Sequence, residues 1–284
     1  MYNKHAIVGM YCETPLHAGS GQAVGVVDLP IQREKITNWP TIQASGLKGA
    51  FRNAYEDGDG QNTNDIFGSD KSGDQAGAIS IGDARLLLFP IRSSVAPFLW
   101  VICPAILRKL KRDGKIVGKE YVWTIPDVQE DKYLGLTGEN EAIIFEDLML
   151  SGNGKLEPDI LKSVKEFVPG DDFYNTSSLE KYLCLVSDAS FSVLVETGTE
   201  VQARILLNDK KTSENLWYQE LVPSNTVFYT IISMTNARWE KEEERKSGND
   251  LMKSLQDTLK EYVQIGGDET LGRGWMRLVW QEVK

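Results

Sequence analysis

Ala6-Ile7-Val8-Gly9-Met10-Tyr11-Cys12 and, after a long irregular connection, Ser45-Gly46-Leu47-Lys48-Gly49-Ala50-Phe51-Arg52-Asn53-Ala54-Tyr55 open the chain as a strand followed by a helix. The first run is almost wholly apolar, as a strand inside a core reads. In the second, Leu47, Ala50, Phe51 and Ala54 recur at i, i+3, i+4 and i+7, which buries one helical face. The far end of the chain repeats the pair. Met252, Leu255, Leu259 and Val263 form a stripe that predicts a helix ending at Gly266-Gly267, and Trp275 to Val283 predicts a last strand.

Between these ends, Ala78 to Phe89, Phe98 to Cys103, Tyr182 to Val195, Val201 to Leu207 and Val227 to Met234 read as strands, and Pro104 opens a helix whose Arg108 to Arg112 face is solvated. Residues 56–77 are polar, acidic and glycine-rich, broken only by Ile66 and Phe67, and read as a flexible surface insertion. The stretch 115–171 mixes short strands with prolines and acidic turns. Interleaved elements without a repeat or a clean linker suit an α+β fold, one domain over residues 1–284 built on a ferredoxin-like, RRM-type palm with large insertions.

The 284 residues can bury a substantial core, and no apolar run is long enough to span a bilayer. The N-terminus lacks the apolar core of a signal peptide, so neither secretion nor a membrane partner is expected. Cys12, Cys103 and Cys184 stand far apart, with no CxxC pair, which excludes a disulfide scaffold or a zinc finger and leaves three core residues in a reducing, cytoplasmic setting. A net charge of −10 argues against a broad basic grip on nucleic acid. The acid is nevertheless concentrated in 56–74 and 240–244, so a local basic groove is compatible with it.

Three segments can carry chemistry. On the helix from Ser45, Lys48 and Arg52 share the flank opposite the apolar face, while Gly46 and Gly49 each cost about 1 kcal/mol against alanine. Their smallness suits the close approach of a sugar-phosphate backbone; the alternative is an ordinary surface helix with two cations. Gly266-Gly267-Asp268-Glu269-Thr270-Leu271-Gly272-Arg273-Gly274 lacks the GK[ST] ending of a Walker loop. Its glycines can cap a helix and shape a turn, or let backbone amides and Arg273 lie flat against phosphates.

The third segment is Gly25-Val26-Val27-Asp28-Leu29-Pro30-Ile31-Gln32-Arg33, with one loop aspartate and no second carboxylate nearby. Loop aspartates usually shape turns. RNA relaxes the need for a partner, because its 2′-hydroxyl is a built-in nucleophile and Mg²⁺ is often held by one carboxylate plus phosphate and water. Asp28 then either holds metal or helps deprotonate the 2′-hydroxyl. His17, in Leu16-His17-Ala18-Gly19-Ser20-Gly21, reads as an RNA contact or loop support ahead of a proton carrier. Trp217 and Tyr218 are either buried aromatics or base-stacking residues at a hairpin tip.

Taken in order, these segments, together with Gly82-Asp83-Ala84-Arg85-Leu86-Leu87, Pro90-Ile91-Arg92-Ser93, Leu216-Trp217-Tyr218 and Val222-Pro223, resemble the backbone subunit of the Cmr complex, the type III-B CRISPR effector within the RAMP superfamily. The resemblance implies an RRM-like palm with a thumb β-hairpin near residues 208–223. It also implies a helical filament of copies along a CRISPR RNA, with other Cmr subunits as neighbours and cleavage of paired target RNA at regular intervals. Asp28 falls on the family's catalytic aspartate and is the expected ligand of a divalent ion, Mg²⁺ or Mn²⁺. His17, Ser45, Lys48, Arg52, Gly266, Gly267, Thr270, Gly272, Arg273 and Gly274 are expected to hold RNA. Competing readings are a noncatalytic scaffold of the same superfamily, a CRISPR-RNA processing endonuclease of related fold, and an acidic structural protein without RNA.

Overall fold

The opening strand, β1 (Lys4–Cys12), is buried on both sides, which is why it reads as a continuous apolar run. It pairs antiparallel with two distant strands, residues 227–234 through Ile7↔Ile231 and residues 275–283 through Ile7↔Gln281. A Cβ on Gly9 would stand 2.7 Å from the Phe167 carbonyl oxygen, so that face of β1 lies directly under an insertion and only glycine fits. These observations come from a computed structural model that describes residues 2–69, 76–135, 141–170, 176–238 and 245–283.

The chain continues through β2 (Thr41–Ile42), α1 (Ala44–Asp57), α2 (Thr63–Phe67), β3 (Ile79–Ile81), β4 (Ala84–Ile91), β5 (Leu99–Ile102) and α3 (Pro104–Ile116). The middle holds β6 (Lys132–Leu134), β7 (Ala142–Phe145), β8 (Leu148–Gly152), α4 (Pro158–Lys165), α5 (Thr176–Tyr182), β9 (Leu183–Val186) and α6 (Asp188–Thr197). The last third holds β10 (Glu200–Leu207), β11 (Ser213–Leu221), β12 (Val227–Met234), α7 (Gly248–Thr258), β13 (Tyr262–Gln264) and β14 (Trp275–Val283). The main sheet runs β13-β14-β1-β12-β4-β5-β9-β6-β8-β7.

Its heart, β14-β1-β12-β4, with α1 between β1 and β4 and α7 between β12 and β14, is the βαββαβ pattern of a ferredoxin-like palm. The two helices lie side by side, joined by a 2.6 Å bond between the Tyr55 hydroxyl and Ser254. They bury Leu47, Phe51 and Tyr55 of α1 and Leu251, Met252 and Leu255 of α7. Everything between β4 and β12 is inserted: β5 to β9 widen the sheet, and β10 with β11 form a separate two-stranded hairpin.

Five expectations need correction. Tyr182 to Val195 is not one strand, because Ser187 caps a new helix by accepting from the Ser190 N–H, and Phe191, Leu194 and Val195 then recur at helical spacing. Ala78 to Phe89 breaks at Gly82-Asp83, where Asp83 accepts a 2.8 Å bond from the Ala44 N–H and so satisfies the start of α1. The stripe through Val263 spans two elements: α7 ends at Thr258, and Val263 pairs with Met276 in the sheet, so the glycine pair follows a strand. The polar 56–77 segment contains α2, whose Ile66 and Phe67 enter the core while Asp65 pairs with Lys246 at 2.8 Å. Positions 70–75 of that segment and the acidic 240–244 lie outside the described residues. Residues 208–212 form the turn of a hairpin spanning 200–221, so both of its strands are longer than the 208–223 reading gives. No helix among the described residues is long and apolar enough to cross a membrane.

Candidate functional site

The hairpin has two unlike faces because strand residues alternate sides. Gln202 and Arg204 stand opposite Gln219 and Trp217 on one face; Val201, Ala203 and Ile205 stand opposite Glu220, Tyr218 and Leu216 on the other. Trp217 and Tyr218 thus sit in mid-strand, not at the tip.

The Asp28 loop docks along the outer edge of β11. The N–H groups of Asp28 and Leu29 both donate to the Tyr218 carbonyl, at 3.1 and 3.0 Å, and the Tyr218 N–H donates back to Asp28 Oδ2 at 2.7 Å. The Glu220 N–H then donates to the Leu29 carbonyl at 3.0 Å, so the loop acts as a short third strand. Asp28 Oδ1 accepts no hydrogen bond from the described residues. The half-buried carboxylate borders an open groove of about 430 Å³, lined also by Gln22, Leu29, Asn215, Leu216 and Trp217.

Glu220 holds this arrangement from beneath. Its buried carboxylate accepts from the Ile31 N–H at 3.1 Å, from Arg33 at 2.5 Å and from Thr199 at 2.8 Å. Its carbonyl accepts from His17 Nδ1 at 2.8 Å, which assigns the ring proton to Nδ1, since a carbonyl can only accept. His17 is itself buried and is a loop support in this setting.

The glycine loop is stacked on the same platform. The Gly267 N–H donates to the His17 carbonyl at 2.9 Å and the Gly274 N–H to the Pro15 carbonyl at 3.0 Å. Gly266 (φ 87°) would place a Cβ 2.5 Å from the His17 oxygen, and a Cβ on buried Gly274 (φ 72°) would overlap the Ile265 carbonyl. Those two glycines are demanded by the chain itself. Gly267, Thr270 and Gly272 are exposed, and a Cβ on Gly272 would meet nothing within 4 Å. Arg273 donates to Gln202 at 2.6 Å. Asp268 takes bonds from Arg204 at 2.6 Å and Gln219 at 2.7 Å. Burial alone would raise its pKa, but those two hydrogen bonds and the Arg204 charge outweigh it and hold the carboxyl below the ordinary range.

Gln32 joins the start of α1 to the platform: its side-chain oxygen accepts from the Gln43 N–H at 2.7 Å and its amide donates to the Gly19 carbonyl at 3.0 Å. Ser45, Gly46 and Gly49 are exposed, and no atom lies within 4 Å of a Cβ on either glycine. Lys48 makes no ion pair among the described residues. Arg52 is committed to Glu56 at 3.0 Å and to the Gly68 carbonyl at 2.9 Å, so the two cations of that flank are not equivalent. Among the described residues no group of three His, Cys, Asp or Glu side chains can hold a metal, which leaves Asp28 as a single hard donor.

The chain thus combines a βαββαβ palm, a glycine loop against its last strand and a side hairpin pinning a loop aspartate. The RAMP superfamily model matches residues 10–277, and the chain belongs to that superfamily and, within it, to the Cmr4 family. The relative that shows the latter is the CRISPR system Cmr endoribonuclease Cmr4 of Pyrococcus furiosus, 36% identical over 99% of this chain and 97% of its own. The CRISPR system CMR subunit Cmr4 of Saccharolobus solfataricus is 28% identical over 94% of this chain and 93% of its own. The crystal structure of oligomeric Cmr4 from Pyrococcus furiosus superposes with a TM-score of 0.74 at 32% identity, covering 99% of both chains. The Type III-B Cmr-beta structure bound to cognate target RNA contains the same fold, with a TM-score of 0.76 at 22% identity over 98% of both chains.

Proposed function

We propose that this chain is the backbone subunit of a type III-B CRISPR ribonucleoprotein. It binds guide RNA, repeats along it with further copies beside other Cmr subunits, and cuts paired target RNA at Asp28. That the Pyrococcus furiosus relative is a Cmr endoribonuclease supports endoribonuclease chemistry here. The oligomeric crystal form of that relative supports assembly with further copies. In this chain, one observation carries the reading: Asp28 is the carboxylate at the head of the groove, and two backbone bonds plus one to its own side chain tie it to β11. Exposed Gly267 and Gly272 leave room for a guide backbone to approach closely, the exposed Thr270 and Ser45 carry hydroxyls, and half-buried Lys48, which makes no ion pair among the described residues, supplies a cation, while Arg273 and His17 brace the glycine loop.

In the proposed reaction the target's own 2′-oxygen bonds to the adjacent phosphorus while the bond from phosphorus to the next 5′-oxygen breaks. The 2′-hydroxyl proton leaves to Asp28 or to water, and the departing 5′-oxygen takes up a proton from solvent. A 2′,3′-cyclic phosphate and a 5′-hydroxyl result. The rigid attachment of Asp28 contributes through positioning, which in such displacements can be worth about 7 kcal/mol or more. Asp28 fits a hard divalent ion, Mg²⁺ or Mn²⁺, as its one protein ligand, with phosphate and water completing the shell. Such an ion, when bound, would neutralise charge on the phosphate oxygens.

A guide-loaded assembly given a target with one 2′-deoxynucleotide at a scissile position tests this chemistry. Cutting is expected to vanish at that position and persist at the others with cyclic ends, to stop with EDTA and to return with Mg²⁺. Cutting at the deoxynucleotide at the ordinary rate would overturn the reading.

A further inference from the structure

Asp268 grips both strands of the hairpin. It stands in the left-handed region (φ 61°) at the head of the single turn Glu269–Leu271 and accepts from Arg204 on β10 and Gln219 on β11, with Arg273 Nε 4.0 Å from its Oδ2. Two bonded paths lead on from there. Gln219 is the neighbour of Tyr218, whose N–H and carbonyl hold Asp28. Arg204 lies over the Trp217 ring at 5.6 Å, and Trp217 lines the Asp28 groove. Arg204 Nη1 donates to Gln219 Oε1 as well, at 2.9 Å, so one guanidinium nitrogen is held by acceptors from both the loop and the hairpin.

We infer that Asp268 is a positioning residue through which the glycine loop sets the strand that holds Asp28. A loop kept in place by guide RNA then fixes Asp28 in its cutting position. The inference rests on the proposed function, in which the glycine loop holds guide and Asp28 cuts. The left-handed backbone at 268 suits asparagine as well as aspartate, so Asp268→Asn keeps the turn and an acceptor for Gln219 while removing the ion pair to Arg204.

The test uses the assembled, guide-loaded complex with Asp268→Asn, Arg204→Met and the double variant, measuring guide content, target affinity and the single-turnover cutting rate. Guide content and target affinity are expected to stay at the parent level while each single variant slows cutting about tenfold or more. Because both remove one link, the double is expected to be no slower than the slower single. Arg204→Lys, which keeps the cation but not the planar guanidinium over Trp217, is expected to fall between parent and Arg204→Met. An Asp268→Asn rate within twofold of the parent overturns the inference, as do losses that multiply in the double or a rate that falls only in proportion to guide content. Asp28→Asn runs alongside: if it cuts normally, the proposed function fails, whereas an inactive Asp28→Asn beside a normal Asp268→Asn sinks this inference alone.

Discussion

At the scale of residues, two carboxylates divide the work of the site. Asp28 faces the groove and Glu220 holds the loop that carries it. Glu220→Ala would leave Arg33 charged and the Ile31 N–H unpaired in a largely buried place. A loss of about 2–3 kcal/mol in urea unfolding is expected, somewhat below the range for fully buried pairs because Arg33 keeps some solvent contact. Asp28 stood out in the sequence as a charged residue among Val27, Leu29 and Pro30. Glu220 did not, because its partners Ile31 and Arg33 are almost two hundred positions away and only strand pairing brings them together. The cations differ too. For single-stranded RNA each lost phosphate contact lowers the salt slope of binding by about 0.7, so Lys48→Ala should show that change and Arg52→Ala less, since Arg52 already serves Glu56 and Gly68. The cysteines are plain core residues: burial pushes Cys184 up to about 12 and raises Cys12 and Cys103 further. Alkylation of the folded protein at pH 8 should leave all three unmodified.

At the scale of elements, α1 gives opposite signs for stability and binding. Gly49 is in a helix interior with open space around it, so Gly49→Ala should stabilise the fold by about 0.5–1 kcal/mol. If guide RNA passes over that spot, the same methyl group should weaken guide binding. A higher melting temperature with lower guide content is the expected pair of results. The junction of hairpin and glycine loop has its own pH signature. The Asp268 pKa is lowered in the folded protein, so its contribution is complete above the unfolded carboxyl value of about 3.9 and is lost only as pH falls through the lower folded value. Hairpin amides should therefore be as protected from hydrogen exchange at pH 5 as at pH 7. The bounds of β12 and β14, strands rich in apolar, aromatic and β-branched residues, were legible to the residue. The misread elements share a cause: apolar stripes do not announce where one period stops. Ser187 turns a strand into a helix, and the break after Leu259 turns a helix into a strand, and both changes are set by what the next segment packs on.

At the scale of the whole molecule, the proposed guide surface of this acidic chain is local: the exposed glycine loop and the start of α1 are joined to one platform at the hairpin base. Gln32, His17 and Glu220 tie three loops together there, which explains why segments from both ends of the sequence belong to one site. On the proposed reading the platform only binds and orients, and a cut requires a guide, a paired target and neighbouring copies, so the free subunit is expected to be a poor nuclease. The most direct measurement is the single-turnover rate of target cutting by a guide-loaded assembly carrying Asp28→Asn. Asparagine keeps an acceptor for the Tyr218 N–H and therefore keeps the loop docked, while it removes the negative charge. Normal guide content and target affinity with a rate reduced by about 10³-fold or more is the predicted result, in the range seen when an acid–base or metal-binding group is removed. Cutting within a few-fold of the parent rate would contradict the account and leave Asp28 as a docking residue only.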